Sequence, residues 1–422
     1  MTTFPPAESV LPQTAPGENP LRAGDSLDAG LFHKLRARAV LEGCKWDPQV
    51  GDAATLAPFP LLMPRDEWQK LERWSEQLTS EALAAEAEIL SFQPDLLRLL
   101  GLPRSLRKVL CAEAPLSPSA ARWMRFDFHF TSDGWRISEA NSDVPGGFTE
   151  SSFFTELIAE HVNDASPVEN FAARWADAIA SIGRPKGVIA LLAAPGYMED
   201  LQIISYMSRL LRARGCATRL AHPAQIIWHE GKAAVASGNS IQPLAAMVRF
   251  FQAEWLAGLP SNCGWRNFFR GGQTPVANPS VAVITESKRF PLTWPRLKTP
   301  MPTWRSLLPE TCDPRDVPWR SNDGWLLKTA MCNTGDTVSI RSRMTPAQWR
   351  RLSWDVIFRR NSWVAQRRFN TLPVETPMGP MFPGIGVYTL NGRACGAYAR
   401  LARTEVVDFS AVDVALLVED DA

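Results

Sequence analysis

The sequence predicts a mixed fold, α+β in one part and α/β in another, with an α-rich region ahead of a βαβ lobe and short strands at the C-terminal end. Three observations carry that reading. Residues 122–130, RWMRFDFHF, alternate apolar and polar side chains with the period of two that marks a half-buried strand. Residues 187–226 run through an apolar strand, a Pro-Gly loop, an amphipathic helix closed by Gly215 and a second strand at about 217–221, the order that builds a parallel sheet. Finally, Asn391-Gly392 stands between two strand-like runs, the strongest short signal of a hairpin.

In chain order, residues 1–26 are rich in Pro, Thr and Glu and lack the basic start and apolar run of a signal peptide, so they read as a disordered leader of a cytoplasmic protein. Residues 27–118 form the α-rich region. Pro64-Arg65-Asp66-Glu67 puts proline and acids where a helix begins, and Trp68, Leu71, Trp74, Leu78, Ile89 and Leu90 follow at helical spacing. A second helical stretch is expected from Pro94 to Leu110.

Residues 119–167 contain a hairpin. Met124, Phe126, Phe128 and Phe130 share one face of its first strand, and Arg125, Asp127 and His129 share the other. Ser132-Asp133-Gly134 is the turn, and WRISEAN puts Trp135, Ile137, Glu139 and Asn141 on one face of the return strand. A three-residue loop, with Gly134 left-handed in a bulge, sets Asp127 opposite Glu139 and Arg125 opposite Asn141. A two-residue loop at Asp133-Gly134 would scatter those polar residues.

The βαβ lobe occupies residues 168–278. Its loop at 194–199 lies at the carboxyl end of a strand and the start of a helix, where open α/β sheets bind ligands. Residues 279–422 hold the runs GWLLKTA at 324–330, SWVAQRR at 362–368 and GIGVYTL at 384–390, followed by RACGAYARL.

Composition narrows the function. Forty-five Lys and Arg against 44 Asp and Glu leave a net charge of +1, with no global field toward nucleic acid or an anionic membrane. No run of about 18 residues is free of charge, which argues against a membrane helix. The seven cysteines are scattered and contain no CxxC pair, as in a reduced protein without a zinc site. A small ligand is the expected partner.

Asp127, Glu139 and Asn141 together supply two carboxylates and an amide oxygen, the donors a hard divalent cation takes when it keeps waters and phosphate oxygens as well. Arg125 beside them is a candidate phosphate clamp. Taken alone, this face is more often a solvated strand with salt bridges. Lys288 in VITESKRFP and Lys328 in GWLLKTA sit in or next to apolar runs, where a nearby phosphate would account for an ammonium group. The small residues Asn333-Thr334-Gly335-Asp336-Thr337 could cover phosphates with backbone amides.

Together and in this order, the motifs resemble those of glutathionylspermidine synthase and its relatives, the circularly permuted ATP-grasp ligases. Arg125-x-Asp127 and Glu139-x-Asn141 are followed by Glu199-Asp200, Ala253-Glu254-Trp255, Lys288, Lys328 with its loop, Gln366 in the VAQRR strand and the closing GIGVYTLNGRACGAYARL with Arg400, over roughly residues 120–418. The metal-type hairpin precedes the lysines, as the permutation requires. The resemblance implies an ATP-grasp lobe with a pre-ATP-grasp lobe at 168–278. It also implies Mg²⁺ held by Asp127, Glu139 and Asn141, and ATP phosphates met by Lys288, Lys328 and the Gly335 loop. Adenine would approach Gln366, Arg125 would face the transferred phosphoryl group, and Arg400 would lie near the acyl phosphate or acceptor. The implied reaction joins a small-molecule or peptide carboxylate to an amine.

Two departures bear on the substrate. The loop Met331-Cys332-Asn333-Thr334-Gly335 lacks the Gly-Arg-x-Gly pattern, and Val144-Pro145-Gly146-Gly147 stands where the family places small hydroxyl residues, so a carboxylate other than glutathione is expected. Cys44, Cys111 and His33 sit in no nucleophile motif, which leaves no amidase. A catalytically silent nucleotide-binding scaffold and a phosphotransferase remain as alternative readings.

Overall fold

The computed structural model describes residues 18–50, 53–182, 187–331 and 338–420. In the N-terminal region, α1 (Ala29–Leu41) is capped by the Asp28 carboxylate, which accepts from the amides of Gly30 and Leu31. The long helix α2 (Arg65–Phe92) begins directly after Pro64, with Asp66 and Glu67 in its first turn, and buries Trp68, Leu71, Leu78, Ala82 and Ile89. The next helical stretch is split into Pro94–Arg98 and Arg104–Leu110, because Gly101 takes φ +73° and Pro103 restarts the chain. The expected leader is also shorter at its far end than 1–26. Arg22–Ala23 pairs with Leu61–Met63 in a small sheet that includes the C-terminal strand Leu416–Glu419, while residues 1–17 lie outside the described residues.

The hairpin is β1 (Trp123–Thr131) and β2 (Gly134–Asn141). Its site end has the expected register, Arg125 opposite Asn141 and Asp127 opposite Glu139. The turn does not. Thr131 pairs with Gly134 across a two-residue Ser132-Asp133 connection, and the extra residue lies further along, at Ser138, where the register shifts. That bulge reverses the alternation of β2. Trp135 and Ile137 therefore face the core with Phe128 and Phe130, and only Glu139 and Asn141 share the face of Arg125 and Asp127. The expectation that all four residues of β2 share one face fails for this reason.

The α/β lobe has the predicted order. β3 (Val188–Ala193), α3 (Met198–Ala213) and β4 (Thr218–Ala221) form the βαβ unit, and β5 (Ser240–Phe250) lies parallel to β3 on its other side. β6 (Val276–Ala277) adds to β5 in parallel.

In the C-terminal part, β7 (Trp325–Thr329) pairs antiparallel with β8 (Trp363–Arg367), and α4 (Pro346–Phe358) connects them. β9 (Phe382–Leu390) and β10 (Arg393–Ala402) form the hairpin that Asn391-Gly392 predicts, with both turn residues at positive φ, 50° and 86°. β11 (Val412–Val414) lies on the outer side of β10.

The element that organises the molecule is the five-stranded sheet β11-β10-β9-β1-β2. One face carries Met124, Phe126, Phe128, Ile385, Val387, Ala399 and Leu401, all buried in the main apolar core with α2. Thr79 of α2 meets Thr389 of β9 at 2.8 Å, a buried hydroxyl pair within that contact. The other face carries the polar residues, and the rest of the chain is arranged around it.

Candidate functional site

Four of the predicted residues meet on β1 and β2. Arg125 donates through Nε to Asp127 Oδ1 at 2.7 Å and through Nη2 to Oδ2 at 3.0 Å, a bidentate pair, and its Nη1 reaches the Gly146 carbonyl at 3.1 Å. Asn141 gives its amide N–H to Asp127 Oδ2 at 2.9 Å and keeps its amide oxygen as an acceptor. Glu139, on the same face, reaches Lys288, with Nζ and Oε2 3.3 Å apart. Burial alone would raise the Glu139 carboxyl, but Lys288, Lys328 and Arg125 together hold it down at about 2.

Three more predicted residues close on Glu139, Lys288 from the turn after the short helix Val283–Glu286 and Lys328 and Gln366 from β7 and β8. Glu139, Lys288, Lys328 and Gln366 line one cleft, whose apolar wall is Phe290, Pro291, Trp304 and Leu308. Lys328 projects from β7 and donates to the Ser138 carbonyl at 2.9 Å, so the bulge of β2 is also the docking point of this lysine. Lys288 is tied to the residue that follows β7 through its backbone amide, which donates to the Ala330 carbonyl at 2.8 Å. Its ammonium also lies 3.5 Å from Glu286, whose other oxygen accepts the amides of Ser142 and Asp143 just beyond Asn141. Gln366 of β8 lies opposite Leu326 of β7 and donates to Thr311 Oγ1 at 3.1 Å.

Arg400 shares the polar face but stands at its far end. It pairs across the sheet with Gly384 and Asp413, donates to the Asp408 carbonyl at 2.8 Å and lies 3.6 Å from Asp413 Oδ1. The charges of both Arg125 and Asp127 act on it. Gly335 lies outside the described residues.

Sequence reasoning missed several participants. Gly384 and Gly386 of β9 sit between the charged strands on the polar face, and a Cβ at Gly386 would stand 2.6 Å from Arg125 Cδ. Two glycines at i and i+2 in a strand share a face, so GIG was a readable sign that something passes close to the backbone there. Tyr398 lies beneath Arg125, its ring centroid 5.2 Å from the guanidinium carbon. His129, which the alternation already placed on this face, is buried with Nε2 3.1 Å from Ser138 Oγ, and burial pushes it down to about 4, so it stays neutral. No sequence signal marked Ser138, because only the bulge gives it a role.

The donor set fits a hard cation in one specific way. Among the described residues no three His, Cys, Asp or Glu side chains gather into a site of their own, so a cation at Asp127, Glu139 and Asn141 would need oxygens from its ligand as well. The neighbouring lysines and arginine suit such a ligand if it is a phosphate.

The family model for the glutathionylspermidine synthase preATP-grasp domain matches residues 59–418. The chain belongs to the glutathionylspermidine synthase preATP-grasp family. Its mixed α/β fold resembles the apo structure of a glutathione synthetase-like effector from Globodera pallida, with a TM-score of 0.59 and 11% identity over 92% of this chain and 96% of that one. A putative gamma-glutamylcysteine synthetase from Methylobacillus flagellatus KT also matches, at 14% identity over 78% and 85% of the two chains and a TM-score of 0.37. No match was found among curated proteins. Family membership supports a ligase-type fold acting on small molecules, and among the described residues no helix is long and apolar enough to cross a membrane.

Proposed function

We propose that this synthase-family chain is an ATP-dependent carboxylate–amine ligase. Its substrate carboxylate would attack the γ-phosphorus of ATP, ADP would leave, and an amine would then displace phosphate from the acyl phosphate to give an amide. The observation that carries this reading is the single cleft in which Glu139 of the polar hairpin faces Lys288, Lys328 and Gln366 beside an apolar wall.

The residues divide the work. Phe290, Pro291, Trp304, Leu308 and Gln366 make the slot for a flat base, while Lys288 and Lys328 meet phosphate oxygens. Asp127, Glu139 and Asn141 would hold Mg²⁺, which when bound screens the phosphate oxygens during in-line transfer. Asp127 would then exchange the Arg125 guanidinium for the cation. Arg125, released from that pair and still supported by the Tyr398 ring, would turn to the charge that builds on the transferred phosphoryl group. Arg400 would face the acyl or acceptor end.

One observation favours a second reading, a catalytically silent nucleotide-binding scaffold: both oxygens of Asp127 are already engaged, by Arg125 and Asn141. The thermal midpoint of the purified protein with and without Mg²⁺ATP, repeated on the Asp127→Ala/Glu139→Ala variant, tests the nucleotide site, since a ligand of the native state raises apparent stability. Substrate-dependent ADP release, with phosphate set free, then separates the ligase from both the scaffold and a phosphotransferase. Absence of any midpoint rise at saturating nucleotide would overturn the proposal.

A further inference from the structure

At the β11 edge of the polar face lies a buried lysine that the motifs above do not include. Lys45 comes from the loop after α1 and is 4% exposed. Its ammonium meets Glu150 Oε1 at 2.5 Å, Asp47 Oδ1 at 3.1 Å and Asp413 Oδ2 at 3.1 Å, and these carboxylates hold it protonated, well above the usual lysine range, against the burial that opposes its charge. The three come from separate parts of the chain: the N-terminal loop, the helical turn after Gly146-Gly147, and β11. Lys45 and Asp47 both precede residue 59, where the match to the family begins.

Asp413 connects this lysine to the site. Its other oxygen, Oδ1, accepts the Tyr398 hydroxyl at 2.6 Å and lies 3.6 Å from Arg400 Nε. Tyr398 in turn places its ring 5.2 Å from the guanidinium carbon of Arg125. Lys45 thus occupies one side of a carboxylate whose other side sets the two arginines of the polar face. Without the lysine, three carboxylates would be left close together in a buried space, and Arg400 is the nearest cation able to move toward them.

We infer that Lys45 is a positioning residue for the proposed ligase site: acting through Asp413, it fixes the Tyr398 ring under Arg125 and keeps Arg400 on the polar face. The N-terminal region accordingly completes the site from the β11 edge of the sheet. This rests on the ligase reading of the front of the sheet. It goes beyond that reading in assigning a function to a segment outside the matched family region.

The test is a set of variants in the full chain: Lys45→Met, Lys45→Arg and Tyr398→Phe, with the Lys45→Met/Tyr398→Phe pair. The expected result for Lys45→Met is a fall in kcat of roughly 10–100-fold, the range seen when an outer partner of a site residue is removed. KM for ATP stays unchanged, because the lysines and the apolar slot are untouched. Lys45→Arg recovers a large part of the loss. Tyr398→Phe removes only the hydroxyl that Asp413 accepts, so it serves where Lys45→Met fails to fold, and it is expected to lower kcat in the same sense. In the paired variant the losses are less than additive, both in kcat and in the thermal midpoint, which reads the coupling without turnover. Unchanged kcat in folded Lys45→Met and in Tyr398→Phe would overturn the inference, as would additive effects in the pair. Absence of ATP turnover in the unaltered protein would instead be a failure of the ligase reading, and the midpoint cycle would still report on Lys45.

Discussion

The two hairpins of the central sheet are built alike, but the strands where they meet, β1 and β9, are equipped oppositely. β1–β2 and β9–β10 are adjacent antiparallel pairs, and each contains one register shift. On the polar face, the first presents Arg125, Asp127, Glu139 and Asn141, whereas β9 presents glycine at 384 and 386. Charge on β1 requires empty space on β9, while β10 keeps Tyr398 and Arg400 on the same face. The Arg125 stem lies across Gly386, and no side chain could occupy that position without moving it. A face on which β9 were as decorated as β1 would be an ordinary salt-bridged surface, while one with both strands bare would hold nothing.

Removing the charged half should have the largest effect. Asp127→Ala and Glu139→Ala each take away an anionic donor, and Mg²⁺-dependent ATP turnover should fall by at least on the order of 10²–10³-fold, the cost of losing one preorganised group at a site of charge development. Circular dichroism should show the fold intact. Near-normal turnover in both variants would mean that the polar hairpin is only a surface. The next largest effect tests the empty half. Gly386→Ala adds one methyl group 2.6 Å from Arg125 Cδ, and kcat should drop with little change in KM, because Arg125 rather than the nucleotide slot is displaced. Gly384→Ala should be milder, since its nearest neighbours, His129 Cε1 at 3.2 Å and Val407 Cγ2 at 3.3 Å, need to give only slightly. Equal effects of the two substitutions would show that general crowding, not Arg125, is responsible.

How far each hairpin could be read from sequence follows from what sets its geometry. Asn391-Gly392 needs positive φ at two successive residues, few dipeptides supply it, and so the turn was legible. Ser132-Asp133-Gly134 offers one glycine and several ways to close. The extra residue could sit in the turn or further along, and it settled at Ser138 because tertiary partners hold it there. The His129 ring meets its hydroxyl, and Lys328 meets its carbonyl from a strand nearly two hundred positions away. Alternation with the assumed three-residue loop placed Asp127, Glu139 and Asn141 on one face correctly while misplacing Trp135 and Ile137. The Lys45 network was invisible for the same reason, since nothing local marks a lysine whose partners come from residues 150 and 413. A smaller prediction follows from the bulge. Ser138→Ala keeps the carbonyl but loses the hydroxyl contact, so KM for ATP should rise a few-fold through Lys328 with kcat nearly constant, and a fall in kcat alone would place Ser138 elsewhere in the mechanism.

The smallest effect sharpens the comparison by setting Glu139 against a carboxyl that lacks its cations. Glu254, just beyond β5, is pushed up to about 8 by burial and then by the nearby carboxylates Asp143 and Glu286, whereas Glu139, facing Lys288 and Lys328, is held at about 2. A carboxyl raised in the folded state binds its proton there after the unfolded chain has released it. Its contribution to stability is therefore full below the ordinary glutamate range and is lost as pH rises from about 4.5 toward 8. Glu254→Gln should raise the thermal midpoint most at pH 8, less at pH 6 and least near pH 5. Glu139→Gln should show no such rise with pH, because its neighbours favour the ionised form throughout that window. A midpoint gain for Glu254→Gln that is independent of pH would mean that Glu254 carries no retained proton, and that the contrast between the two carboxyls lies in packing rather than in charge.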